Sequence, residues 1–142
     1  MPSVTSTAQQ RWRRRLASDR GDASVQMAII FPFVILLTIV VVQASMWYYA
    51  RQIALAAARE GIAAGRTYQA GPGTGANRAR EVLDRTAGDS LRRATVSSAG
   101  STGERIRIQV SGAAPSLLPF VPDLPVTQSA SGAVERFTTP GG

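Results

Sequence analysis

From Ala23 to Ala50 the chain runs 28 residues without a charged side chain, and apolar residues fall on every side of a helical projection. A bilayer core about 30 Å thick is crossed by roughly 20 apolar helical residues, so residues 22–50 are expected to form a transmembrane helix. The alternative, a core helix of a soluble protein, needs more surrounding chain than 142 residues provide. After Arg51 the apolar positions narrow to one stripe. Ile53, Ala57, Gly61 and Ala64 recur at helical spacing in an Ala-rich segment, which predicts that the helix continues from about Val25 to Arg66, with residues 51–70 as an outward extension. Gly61 and Gly65 place two small residues on one face, where helices can approach closely.

Gly71-Pro-Gly-Thr-Gly reads as a loop on turn chemistry. It is not a phosphate cradle, because no Lys-Ser/Thr follows it and no strand precedes it. Asn77 is the expected cap of a second helix reaching about Arg93, with Ala79, Val82, Leu83, Ala87 and Leu91 on its apolar face and Glu81 paired to Arg85. The period then falls to two. Ala94-Thr-Val-Ser-Ser and the alternating Arg105-Ile-Arg-Ile-Gln-Val predict a hairpin, and Val126 to Phe137 a third strand broken near Gly132. Four prolines between Pro115 and Pro125 exclude regular structure there. Leu117, Leu118, Phe120 and Leu124 in that loop either pack on the sheet or touch membrane or a partner, and packing on the sheet is the expectation.

Charge sets the orientation. Arg11, Arg13, Arg14, Arg15 and Arg20 stand before the span against one acid, Asp19. Positive flanks stay on the cytoplasmic side, so the N-terminus is expected inside and the C-terminal part outside, in the cell membrane, with Trp47, Tyr48 and Tyr49 at the outer interface. A cleaved secretory signal is the rival, but its apolar region is shorter and ends in small residues rather than aromatics. The arm could also meet nucleic acid or anionic lipid. Beyond residue 50, however, eleven arginines face seven carboxylates, with no aromatic interleaving of the kind single-strand binders use. No nucleic-acid partner is expected. Residues 1–10 have the composition of a disordered segment.

The chain has no His, no Cys and no Lys. The commonest metal ligands, general bases and thiol nucleophiles are therefore missing, and no two carboxylates are set apart as an acid–base pair. No enzyme activity, cofactor, metal or small-molecule substrate is expected. Nor is a disulfide available to staple the small C-terminal part.

The junction Arg20-Gly-Asp-Ala-Ser-Val-Gln26-Met-Ala-Ile-Ile-Phe-Pro32 resembles the opening of TadE-like proteins. So do Tyr49-Ala-Arg-Gln52 and Ala57-Ala-Arg-Glu-Gly61 and, with less specificity, the alternating strand, the Pro/Leu loop, Ser129-Ala130 and Glu135. These proteins are minor, pilin-like components of Tad (Flp) pilus assembly. The resemblance implies a prepilin-type peptidase cutting between Gly21 and Asp22, and a helix that packs on other Tad pilin-like subunits or on the inner-membrane assembly platform. Pro32 would be its kink point. Where pilin-like proteins usually carry Glu, this chain carries Gln26.

Together these readings give an α+β, pilin-like chain: a long N-terminal transmembrane helix extending outward, a second helix and a small three-stranded antiparallel sheet. Its expected parts are a cytoplasmic basic leader arm over 1–21, the span over 22–50, the helical extension over 51–70, an extracytoplasmic head over 71–137 and a flexible tail over 138–142. The bilayer and the pilus machinery are its expected partners. Two other outcomes remain open on sequence grounds, a membrane-tethered binding or sensing module outside any filament and a domain released by signal peptidase.

Overall fold

A computed structural model describes residues 5–136. The fold is α+β: helix α1 (Thr5–Gly65), helix α2 (Pro72–Thr86), a 3-10 turn at Gly88–Ser90, and strands β1 (Arg92–Ser97), β2 (Arg105–Ala114) and β3 (Leu124–Ala133). The strands form one antiparallel sheet in chain order. The chain divides into two compact units between Val41 and Val42. Met1–Val4, Phe137 and the tail expected over 138–142 lie outside the described residues.

The first unit is the N-terminal part of α1. The helix starts at Thr5, so residues 5–10 are helical rather than disordered. The arm that follows is rich in arginine, which favours helix almost as well as leucine does. No side chain from Ala23 to Val42 is buried, and one helix here is long and apolar enough to cross a membrane. Thr38 returns its hydroxyl to the Val34 carbonyl at 2.8 Å, which satisfies a polar group with no water at hand.

The second unit is built on the remainder of α1. Gln43, Ala50, Ile53, Ala54, Ala57, Ala58, Gly61, Ile62 and Gly65 are buried. The stripe is thus wider than the spacing of Ile53, Ala57, Gly61 and Ala64 suggests, and Ala64 is only half-buried. Helix α2 crosses it at the glycines. A Cβ added at Gly61 would sit 2.7 Å from the Gly75 carbonyl oxygen, and one added at Gly75 would sit 2.7 Å from that of Gly61. The two backbones therefore touch at a distance no larger residue permits.

That contact moves the start of α2. The Gly-Pro-Gly-Thr-Gly segment expected as a loop is mostly the first turn of the helix. Gly71, at φ 88°, precedes Pro72, whose fixed φ and missing N–H suit a first helical position. Asn77 is consequently inside the helix, and its Oδ1 accepts a bond from Arg80 at 3.0 Å instead of capping an end. The helix also stops at Thr86 rather than near Arg93, where Gly88 takes a left-handed φ of 46°. Leu91 is buried from the segment beyond the helix, and Arg92 begins a strand.

Alternation places Ile106, Ile108 and Val110 on one fully buried face of β2. Opposite them in β3 stand Gly132, Ala130 and Gln128. Gly132 is the point where α1 lies closest, because an added Cβ would meet Ile62 and Arg66 within 2.8 Å. Arg66 Nε donates to the Ala133 carbonyl at 3.0 Å and ties the end of α1 to β3. The Pro/Leu loop departs from expectation. Leu124 and Pro125, expected outside regular structure, already belong to β3 opposite Ala114 and Ala113. They lie at a sheet edge, where proline's missing N–H is tolerated. Leu124 packs on the core, whereas Leu117 and Phe120 are exposed and do not cover the sheet.

The glycine crossing makes a test of opposite signs. Gly61→Ala is expected to destabilise the second unit by about 1–3 kcal/mol through overpacking, although alanine gains about 1 kcal/mol in helix propensity. Gly73→Ala, where an added Cβ meets nothing within 4 Å, should be neutral or stabilising. Thermal unfolding of the detergent-solubilised chain, followed by circular dichroism, reads both. A Gly61→Ala protein as stable as the parent would contradict the crossing.

Candidate functional site

The residues singled out in the sequence fall into two groups. Arg11, Arg13, Arg14, Arg15, Arg20, Gly21, Asp22, Gln26 and Pro32 all lie in the first unit, on α1, and all but Pro32 precede the most apolar part of the helix. Each of the arginines is exposed, as are Gly21, Asp22 and Gln26. Around Gly21 nothing approaches within 4 Å of where a Cβ would stand, so the Gly21–Asp22 bond is open on that side. Gly61 and Gly65 belong to the second unit, where α2 occupies their face.

Gln43 is a feature that sequence reasoning passed over. It is buried, at 8% exposure, near the C-terminal end of the uncharged run. Its Nε2 donates to the Pro115 carbonyl at 3.0 Å, and its Oε1 accepts the Leu117 N–H at 2.8 Å. One amide thus satisfies both sides of a chain segment that proline excludes from the sheet. Four residues on, Trp47 donates its indole N–H to the Pro125 carbonyl at 3.2 Å, and the Arg51 guanidinium lies 4.8 Å over the indole ring. Trp47 therefore holds the far end of the same loop, and the neighbouring Tyr48 and Tyr49 stay exposed.

Asp123 closes the loop from within. Its Oδ1 accepts the Ser116 N–H at 3.1 Å, and its Oδ2 faces Arg92 at 3.4 Å and Arg93 at 3.8 Å. The Ser116 hydrogen bond first, and then the charges of Arg92 and Arg93, hold this carboxyl below its ordinary value of 3.8 against some desolvation. Asp123 was legible only as one of the scattered acids, since its arginine partners Arg92 and Arg93 lie on another strand, far from it in sequence.

Among the described residues no three His, Cys, Asp or Glu side chains come together as metal ligands. A groove of about 670 Å³ between α2 and β1 contains Arg80 and Asp84. Arg80 is committed to Asn77 and to the Val96 carbonyl, and no nucleophile in the groove stands beside a base.

Comparison with known proteins bears on one segment of α1. A family model described as TadE-like protein matches residues 21–62. The matched segment covers the apolar part of α1, Gln43, Trp47 and the stripe as far as Ile62. No curated protein and no solved structure matches the chain.

Two outcomes follow from the loop anchors. Gln43→Ala leaves the Leu117 N–H and the Pro115 carbonyl without partners, and is expected to cost about 1–3 kcal/mol and to raise hydrogen exchange at Leu117 selectively. Unchanged protection at Leu117 would remove Gln43 from its role. For Asp123 the folded-state pKa is depressed. Its contribution is therefore present above the ordinary value and lost as pH falls through the lowered folded value. Acid titration of the Ser116 amide by NMR should show its midpoint below 3.8, and Asp123→Asn should abolish the titration. A midpoint at or above the ordinary value would contradict the contacts.

Proposed function

We propose that this chain, TadE-like over residues 21–62, is a non-catalytic, membrane-anchored, pilin-like accessory protein of Tad pilus assembly or a related secretion apparatus. The TadE-like family is a pilus-assembly component and is not known as an enzyme family. The observation that supports the reading most is the coincidence of the family match with one helix that is uncharged and unburied from Ala23 to Val42 and one-sided afterwards. The first part suits lipid and the second suits a folded head, which is what a pilin-like subunit requires of its helix.

In this reading the five arginines keep the N-terminus cytoplasmic, and the second unit lies on the extracytoplasmic side. A prepilin-type peptidase cuts after Gly21. Glycine leaves a helix at the lowest cost of any residue except proline, so this is where α1 can be drawn open for cleavage. Asp22 then carries the new amine, and Gln26, four residues on, shares its helix face. Glutamine keeps the oxygen with which a neighbour's amine can be hydrogen-bonded, without the charge that is costly inside a membrane. The bilayer, other Tad pilin-like subunits and the inner-membrane platform are the partners, and work is done by assembly rather than turnover.

Intact-mass measurement of the protein extracted from membranes tests the proposal. The mass should begin at Asp22, and Gly21→Leu should restore the full-length species. A mature start at Met1 would instead support a tethered extracytoplasmic module, and a soluble fragment starting near residue 55 would support release by signal peptidase.

A further inference from the structure

We infer that the Pro115–Asp123 loop is a second membrane contact, with Leu117, Phe120 and Val121 entering the headgroup–acyl boundary of the leaflet at the C-terminal end of the span. The inference rests on the membrane anchorage proposed above and adds to it a wedge supplied by the head.

Its position follows from chain continuity. Ala23–Val42 comprises 20 uncharged residues, about 30 Å of helix at 1.5 Å per residue, which matches a hydrocarbon core. Gln43 is the next residue, and its amide holds the loop at Pro115 and Leu117. Whatever the tilt of the helix, a loop clamped to Gln43 stands where the apolar span ends. Tyr48 and Tyr49, exposed on the same helix, are the residue type enriched in that layer.

The chemistry of the loop agrees. Leu117 is 52% exposed, Val121 41% and Phe120 104%, so the phenyl ring touches nothing in its own chain. Phe120 also holds a left-handed φ of 67°, a conformation that an aromatic residue takes at a cost and that commonly marks a functional position. Asp123, the one acid of the loop, is covered by Arg92 and Arg93, leaving a net positive base that suits anionic headgroups. The Ser116 and Leu117 amides at the base of the loop are satisfied by Asp123 and Gln43, which lowers the cost of holding that backbone next to lipid.

The absence of cysteine makes the test direct. Single-cysteine variants Phe120→Cys, Leu36→Cys and Ala99→Cys of the full chain are labelled with the environment-sensitive fluorophore NBD in vesicles of phosphatidylcholine and phosphatidylglycerol. They are then quenched with a lipid bearing a shallow nitroxide, a lipid bearing a deep one, or aqueous iodide. The label at position 120 should be quenched by the shallow nitroxide several-fold more than the label at position 99, and by iodide several-fold less. Iodide quenching equal to that at 99, with the label at 36 still quenched by the deep nitroxide, would overturn the wedge and leave the anchor intact. Failure at position 36 would overturn both. Shielding of position 120 from iodide and both nitroxides would also overturn the wedge, and would instead indicate burial against another copy of the chain.

Discussion

The backbone contact between α1 and α2 at Gly61, Gly65 and Gly75 is the constraint from which the second unit is built. Each missing Cβ lies within 3.4 Å of backbone or side-chain atoms that have nowhere to go. Because the helices meet at this distance, Ile108 of β2 reaches both at Gly61 and Gly75 while Ile106 packs at Gly65, and together they close the core over the crossing. The sheet is therefore seated on two helices at once, and its alternating face needs only Ile106, Ile108, Val110 and Val126 to be filled. A head this small has no disulfide and little area to bury. It gains density instead, through alanine and glycine on α1, since packing attraction falls off within an ångström of contact.

A second constraint lies at the other end of the stripe. From Arg20 to Val42 no side chain of the helix is buried, and from Gln43 one side is. The change of surroundings is marked by a residue whose amide can do what neither a leucine nor a carboxylate can. It donates and accepts at once, and so pairs the Pro115 carbonyl and the Leu117 N–H without introducing a charge next to lipid. Trp47 repeats the device with a donor only, at Pro125. The segment between β2 and β3 is thus met by side chains of α1 at both ends, Gln43 at Pro115 and Leu117 and Trp47 at Pro125, the second residue of β3.

What could be read from the sequence was what repeats. The uncharged run, the apolar face of α2 and the alternation of Arg105 to Val110 each carry a period, and a period reports burial without knowledge of the partner. Features that depend on a distant partner could not be read in this way. Gly71 to Gly75 has the composition of a loop, and only the glycines of α1 opposite it explain why the helix includes most of it. Gln43 is one polar residue in an apolar run, and its partners stand 72 and 74 residues away. Phe120 was assigned to packing because apolar residues usually pack. The loop is held by its base through Gln43, Asp123 and Trp47, which leaves its tip free to point elsewhere. Gly61 and Gly65 illustrate the same limit from the other side. Their spacing signals a close helix approach, but it carries no information on whether the approaching helix belongs to the same chain.

That last point bears on how such a subunit can assemble. From Ala50 to Gly65 the small-residue stripe is filled by α2 and the sheet, and the rest of the helix presents Arg51, Arg59 and Glu60 alongside Gln52, Ala56 and Ala63. Glu60 is further engaged by Arg78 of α2. A lateral neighbour that sought the glycine face would have to displace the chain's own second helix, a displacement that would open the core. Exposed apolar side chains suited to helix-to-helix contact are concentrated between Val25 and Val40, among them Phe31, Phe33, Leu36 and Leu37. In lipid such groups associate by packing and by the few polar positions among them, and Gln26 is one of those positions. Assembly of this subunit through its helix would therefore be decided in the apolar half, whereas the second half is occupied by its own α2 and sheet.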